Sequence, residues 1–425
     1  MALASDVPKG SFRLSMLIYD TRYRSLTIQV FVLVLFGLFL AWLLNNTATN
    51  LAVRGKEFNF GFLWARAGYD IGQQLIPYTN DSTHFRALLV GLINTLVVAL
   101  LGCIFATILG IIIGVLRLSN NWLVGRLMTV YVEVFRNIPL LLWILLSYVI
   151  LSETTPQPRD FRVTDEMVAA GESPAASMIL GGTVAVTNRG TNIPAPLVDR
   201  PLGELNLGFA SVNLTVLAFL LVIGGSIWVN RRLLAAARAR QEATGERPVM
   251  WWKSLLVLFA PVIALSVALG LHFEIPELKG FNFAGGILVA HSFTALLIAL
   301  TLYTAAFIAE IVRAGILAIS RGQSEAAFAL GLRPGRTMNL IILPQALRVI
   351  IPPLISQYLN LTKNTSLGIA VSYLDLRGTL GGITLNQTGR ELECMLLMML
   401  IYLTISLTIS SIMNFYNKTV QLKVR

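Results

Sequence analysis

The chain has 425 residues, of which 55% are hydrophobic and only 13% charged, against roughly 25% charged in a typical soluble domain. With a mean hydropathy of +0.71, that balance excludes a water-soluble domain and identifies an integral membrane protein. The net charge of +11 is accounted for by Lys and Arg gathered in cytoplasmic loops, without nucleic acid as a partner.

A membrane-spanning helix rises ~1.5 Å per residue and needs about 20 apolar residues to cross ~30 Å of hydrocarbon. The first 25 residues are polar and mixed, and no small-residue cleavage site follows the first apolar run, so that run reads as an anchor and not a signal peptide. Eight segments qualify as spans: 26–45, 87–116, 128–151, 210–229, 254–271, 288–312, 348–372 and 394–415. The fold expected is therefore an all-α polytopic membrane protein of about eight transmembrane helices. Charge sets its orientation. With the N-terminus inside, the inner pieces hold 20 Lys and Arg against 5 acidic residues, and the outer pieces hold 11 against 15. Both termini are thus expected in the cytoplasm. The long outer stretch 155–205 reads as loop, and Cys103 and Cys394 sit in apolar runs that imply no disulfide.

The longest cytoplasmic connection lies between spans six and seven and contains "EAAFALGLRPGRTMNLIILPQALR" over 325–348. "RGQSEAAFAL" is made of helix formers and ends at Gly331, the residue suited to a left-handed C-cap. "LRPG" turns the chain, and "RTMNLIIL" starts a second helix. Two short helices at an angle, with apolar faces unsatisfied, suit either docking to another protein or resting on lipid headgroups.

The spacing of this stretch resembles the coupling loop of ABC importer permeases: Glu325-Ala326-Ala327, then Gly331, then Ile341, then Leu343-Pro344. The flanking runs 303–331 and 343–367 resemble the polar amino-acid uptake branch. "YVEVFRNIPLL" (131–141) does too, although Asn137 and Ile138 replace the more usual Gly and Thr. The segment 58–71 and the insertion are similar to the larger permeases of general L-amino-acid importers. On that resemblance the chain divides into five parts. These are an N-terminal tail, extra span and periplasmic segment (1–86), a first core part (87–150), an insertion with a periplasmic loop and two extra spans (151–287), a second core part with the coupling loop (288–415), and a cytoplasmic tail (416–425). The resemblance implies that Glu325, Ala326, Ala327 and Gly331 dock on a separate ATPase subunit, and that two permeases, homologous or identical, pair in the inner membrane of a Gram-negative bacterium. It further implies that a periplasmic binding protein delivers the substrate.

Span seven is unusually polar for a membrane segment. At 100° per residue Ser356, Gln357, Asn360, Lys363 and Asn364 fall on one face, with Leu354 and Leu361 opposite. A lysine near the middle of a span costs a few kcal/mol or more against lipid, so the stripe is expected to face protein or a water-filled path. Interhelical hydrogen bonding alone would explain the amides and hydroxyls; the lysine points to a substrate path. There Lys363 would balance an α-carboxylate, and Asn360, Asn364 and Ser366 would meet the ammonium or a side-chain amide. The family's usual Lys-Asp-Thr-Ser-Leu is here Lys363-Asn364-Thr365-Ser366-Leu367. The lost negative charge favours acidic and neutral polar amino acids over cationic ones.

Glu133 with Arg136, and Glu310 with Arg313, are spaced for structural i,i+3 ion pairs near the inner surface. His84, His272 and His291 show no metal-ligand spacing. No Gly-x-x-x-x-Gly-Lys-[Ser/Thr], nucleophile elbow or His-Glu-x-x-His occurs. No cofactor or catalytic site is therefore expected on this chain; ATP and Mg belong to the partner ATPase. A gradient-driven carrier remains the alternative, one that would leave the cytoplasmic loop unexplained.

Overall fold

The structure, a computed structural model, describes residues 21–53, 58–163, 169, 173–206, 211–246 and 248–420. Parts of the tails expected at 1–25 and 416–425, residues 1–20 and 421–425, lie outside the described residues. Among the latter, seven helices are long and apolar enough to cross a membrane, and a bent pair makes an eighth crossing.

Small residues line the most extensive helix–helix contact in the bundle. Helix α2 (His84–Leu116) packs along α7 (His291–Leu317). A Cβ added at Gly110 would lie 2.6 Å from Cβ of Ile308, and one at Gly114 would lie 2.7 Å from the Ala309 carbonyl oxygen. Glycine lets the two backbones approach, as small residues do where helices meet in lipid. Around this seam Val98, Ala106, Leu296, Leu300, Ala305 and Ile308 are buried. By contrast α1 (Thr21–Val53) leaves its apolar side chains from Leu26 to Leu44 exposed.

The third span departs from the single helix expected over 128–151. It is split into α3 (Trp122–Asn137) and α4 (Leu140–Thr154), bent by 106°. Pro139 is the cause. Its ring forbids helical geometry at the preceding residue, and Ile138 is extended at φ −105°, ψ 134°. Phe135 and Trp143 stack across the bend with centroids 4.2 Å apart. Arg117 at the inner end of α2 and Arg136 near the end of α3 both reach Glu310 of α7. α3 therefore lies across the inner ends of the bundle, and α4, about 22 Å long, makes the crossing.

The outer loops contain structure that their sequence concealed. Among the described residues nine short antiparallel strands, β1 (Ala185–Thr187), β2 (Gly190–Ile193), β3 (Ala195–Val198), β4 (Glu204–Asn206), β5 (Ser211–Asn213), β6 (Leu271–Glu274), β7 (Glu277–Lys279), β8 (Asn282–Ala284) and β9 (Ile287–Val289), form an outer cap. Strand β2 bridges β1 and β9, while β3 pairs with β6, β4 with β5, and β7 with β8. The cap is tied to the core where His291 Nε2 meets the Thr187 carbonyl at 2.6 Å. From it descends the hairpin α5 (Leu214–Thr244) and α6 (Trp251–Ala268).

After α7 come α8 (Arg321–Ala329) and α9 (Pro334–Thr337), then a π-helical stretch (Met338–Ile342) and α10 (Leu343–Asn364). The second helix of the cytoplasmic connection is thus not short, because it runs through the π stretch into the seventh span. A 3₁₀ segment (Thr365–Val371), α11 (Leu376–Gly378), a second π turn (Thr379–Thr384) and α12 (Leu385–Thr388) lead to α13 (Glu391–Val420).

The α2–α7 seam yields a paired test. Gly110→Ala overpacks it and is expected to cost about 1–3 kcal/mol, read as a lower Tm of the purified protein in detergent. Gly37→Ala on α1, where nothing lies within 4 Å, should leave Tm unchanged.

Candidate functional site

The cytoplasmic connection is built around one helix end. α8 stops at Leu330, and Gly331 takes the left-handed conformation at φ +76°. Its amide donates to the Phe328 carbonyl at 2.9 Å, and that of Leu332 donates to the Ala327 carbonyl at 3.0 Å. These two bonds are the Schellman pair, which satisfies carbonyls the helix end would otherwise leave open. Ala327 is buried at 1% exposure, turned inward, while Glu325 and Ala326 are exposed. Phe328, Leu330, Met338 and Leu340 are exposed as well, Leu330 at 81%. The four expected residues are thus together in space and split in orientation, with Ala327 toward the protein and the others outward. A rigid, capped helix carrying an apolar surface can transmit a push from whatever docks on it.

The polar stripe lies on α10. Its opposite face packs on α2: Leu361 is fully buried against Gly102, and Tyr358 Oη lies 2.7 Å from Thr107 Oγ1. Gly102 is near the middle of α2, which places Lys363 near mid-depth. Ser356, Asn360 and Lys363 are exposed, and Gln357, Asn364 and Ser366 are partly buried. Ser366 Oγ donates to the Lys363 carbonyl at 2.7 Å. The stripe is therefore one continuous polar strip, open along the single chain. Lys363 sits in the last turn of α10, where the negative end of the helix dipole favours a cation.

Sequence reasoning missed what lies beyond that turn. The irregular backbone after Asn364 is held by α2 and by one buried carboxylate. Asp375 accepts from the Gly378 amide at 2.8 Å and from Tyr402 Oη at 3.3 Å. The Leu376 amide donates to Thr95 Oγ1 at 3.0 Å, and Asn94 Nδ2 donates to the carbonyls of Leu374 and Gln73 at 2.9 and 2.8 Å. The signal available was Asp375 three residues ahead of Gly378, an N-cap followed by glycines in a segment otherwise read as outer loop.

The inner ion pairs are arranged differently from the local expectation. Arg313 does pair with Glu310, at 3.2 Å. Arg136 does not pair with Glu133: it reaches Glu310 at 3.9 Å and lies over the Phe307 ring at 5.3 Å. Glu133 instead accepts from Asn137 Nδ2 at 3.2 Å. The 106° bend is the reason, since it swings the end of α3 onto α7. Arg117 completes the cluster with a hydrogen-bonded ion pair to Glu310. Three arginines from three helices thus converge on one carboxylate. Among the described residues no group of three or more His, Cys, Asp or Glu side chains is placed to hold a metal ion.

Comparison with known proteins follows the same lines. The family described as binding-protein-dependent transport system inner membrane component matches residues 247–422. The chain is 71% identical, over the whole of both chains, to the glutamate/glutamine/aspartate/asparagine transport system permease protein of Rhodobacter capsulatus. It is 43% identical, over 98% of its length and 96% of the relative's, to the general L-amino acid transport system permease protein of Rhizobium johnstonii. A probable glutamine ABC transporter permease protein of Bacillus subtilis matches 49% of this chain and 90% of its own length at 34% identity.

The unequal exposure of the three arginines orders their importance. The Arg117 side chain is 8% exposed, and those of Arg136 and Arg313 are 36% exposed. Arg117→Ala is expected to lower the Tm of the purified protein most, by the equivalent of about 1.5–3 kcal/mol. Arg136→Ala, at the longest distance, should lower it least. Thermal scans of the three alanine variants under one detergent condition check the order.

Proposed function

The chain belongs to the family of binding-protein-dependent inner-membrane transport permeases, and we propose that it passes polar and acidic L-amino acids inward, with α8 as its contact on the ATPase and the α10 stripe as its substrate path. Membership makes it the membrane-spanning subunit of an ATP-driven importer, with hydrolysis on a separate subunit. The observation that carries the coupling role is the exposed, Schellman-capped α8: Glu325, Ala326, Phe328 and Leu330 face outward while Ala327 anchors the helix. The substrate class rests on the names of the two full-length relatives and on Asn364, which stands where a carboxylate would favour cationic amino acids.

A second, homologous permease is the natural cover for the stripe, because two such faces enclose a polar path that neither chain closes alone. A periplasmic binding protein would deliver the amino acid to the outer face, with the cap formed from the 151–287 insertion as the surface it meets. ATP and Mg would act on the partner ATPases, whose closure is passed through α8, α9 and the π stretch to α10. Lys363 would meet the substrate carboxylate. Asn360, Asn364 and Ser366 would meet the ammonium or side-chain amide, and Gln357 and Ser356 would continue the path toward the cytoplasm.

Two measurements test this reading. Open space surrounds Gly331, so Gly331→Val acts through backbone strain of about 1–3 kcal/mol at its positive φ. The variant should hydrolyse ATP without the matching uptake in proteoliposomes carrying the complete importer; unchanged coupling would count against α8 as the contact. Lys363→Gln should cut glutamate uptake about 10- to 100-fold while the ATPase still co-purifies. Glutamine and aspartate should compete with glutamate and arginine should not. Uptake that persists without ATP and collapses with the proton gradient would instead support a carrier.

A further inference from the structure

The α5–α6 hairpin belongs to neither the coupling helix nor the substrate stripe. Helix α5 has 31 residues, about 46 Å at the α-helical rise, half as long again as the ~30 Å hydrocarbon layer. Its first turn is fixed at the outer cap, where the Leu202 amide donates to Thr215 Oγ1 at 3.0 Å. The surplus length therefore emerges on the inner side, the same side as α8. Helix α6 returns with 18 residues and begins at Trp251.

Between the two ends lies a cleft of about 680 Å³, lined by Leu234, Ala237, Arg238 and Gln241 of α5 and by Trp251 and Ser254 of α6. Its surroundings are cationic and aromatic. The Arg232 guanidinium lies 5.2 Å from the Trp228 ring, and Lys253 Nζ lies 5.4 Å from that of Trp252. Between Asn230 and Lys253 the sequence has six Lys and Arg against two acidic residues. One turn deeper than Leu234, on the same face of α5, Asn230 Oδ1 is buried without a hydrogen-bond donor. Below this level the hairpin exposes Leu220, Leu221, Phe259 and Ile263, an apolar surface suited to acyl chains.

We propose that this cleft binds the headgroup of an anionic phospholipid of the inner leaflet. The phosphate meets Arg238, with Lys253 and Arg232 adding attraction, and the acyl chains lie along α5 and α6. Tryptophans at the headgroup level fix the depth of the hairpin, and cations beside the surface supply selectivity for negative lipid. Phosphatidylglycerol, whose one negative charge sits on the phosphate, is the simplest lipid of that chemistry. The apolar surface that continues from the cleft along the membrane-embedded part of the hairpin suits acyl chains better than a soluble partner.

The test uses the complete importer in phosphatidylcholine liposomes carrying a trace of photoactivatable phosphatidylglycerol or photoactivatable phosphatidylcholine. After irradiation, labelled peptides are identified by mass spectrometry. The phosphatidylglycerol probe is expected to label the peptides spanning 228–254 in preference to the phosphatidylcholine probe. Arg238→Ala should reduce that labelling about fivefold, the effect of removing one surface cation, and Arg238→Lys should retain it. Equal labelling by both lipids in the unaltered protein overturns the proposal without reference to any variant. So does labelling unaffected by Arg238→Ala, displacement by millimolar inorganic phosphate (which would mark a free-anion site), or cross-linking of this hairpin to another subunit in place of lipid.

Discussion

Backbone amides and carbonyls inside a bilayer have no water to bond with, so each interruption of a helix there must be satisfied by protein. This constraint shapes the second half of the chain. Helix α10 stops at Asn364, near mid-depth, and the chain continues through 3₁₀, π and short α turns to Gly389. Those turns persist because α2 supplies the missing partners. Thr95 accepts the Leu376 amide, Asn94 donates to the Leu374 carbonyl, and Asp375 caps α11. The dense α2–α7 seam is what holds those partners in place, so the glycines at 110 and 114 and the break after 364 are parts of one arrangement.

The break also explains where the polar stripe stands. A helix that ends inside the membrane turns its negative dipole end toward mid-depth, and Lys363 occupies its last turn. The lysine therefore has local electrostatic compensation while its ammonium remains open. On the proposed reading, charge held this way would be open to an incoming carboxylate, which a fully paired lysine would not be. From Lys363 to the membrane surface the path is covalently short: α10 leads back through the π stretch and α9 to the Schellman turn at Gly331. A π stretch is a common site of functional adjustment in a helix, and this one lies between the surface helix and the polar stripe.

Legibility from sequence followed the range of the interaction. The surface helix α8 and its glycine stop were readable because both are local: helix formers, then a residue free to adopt positive φ. The polar face of span seven was readable from its period of 3.6. The pairing of Arg136 was not, because spacing along one helix cannot see Pro139 turning α3 onto α7. Nor were the strands of the outer cap, each three or four residues long, too short for alternation to emerge above loop composition. The buried role of Asp375 needed α2 and Tyr402 of α13 beside it, contacts hundreds or tens of residues away in the chain.

The Arg117, Arg136, Arg313 and Glu310 cluster joins these parts at the inner surface. It links the end of α2, the end of α3, which lies across the inner ends of the bundle, and the end of α7, shortly before α8 begins. Three cations on one carboxylate leave two positive charges uncompensated by Glu310, at the depth of lipid headgroups, so the cluster is held by its geometry as much as by charge balance. The buried Arg117 fixes it from the α2 side, and the more exposed Arg136 and Arg313 close it from the others. On the proposed role of α8, a push on it would meet the ion-paired end of α7 on one side and the π stretch leading into α10 on the other.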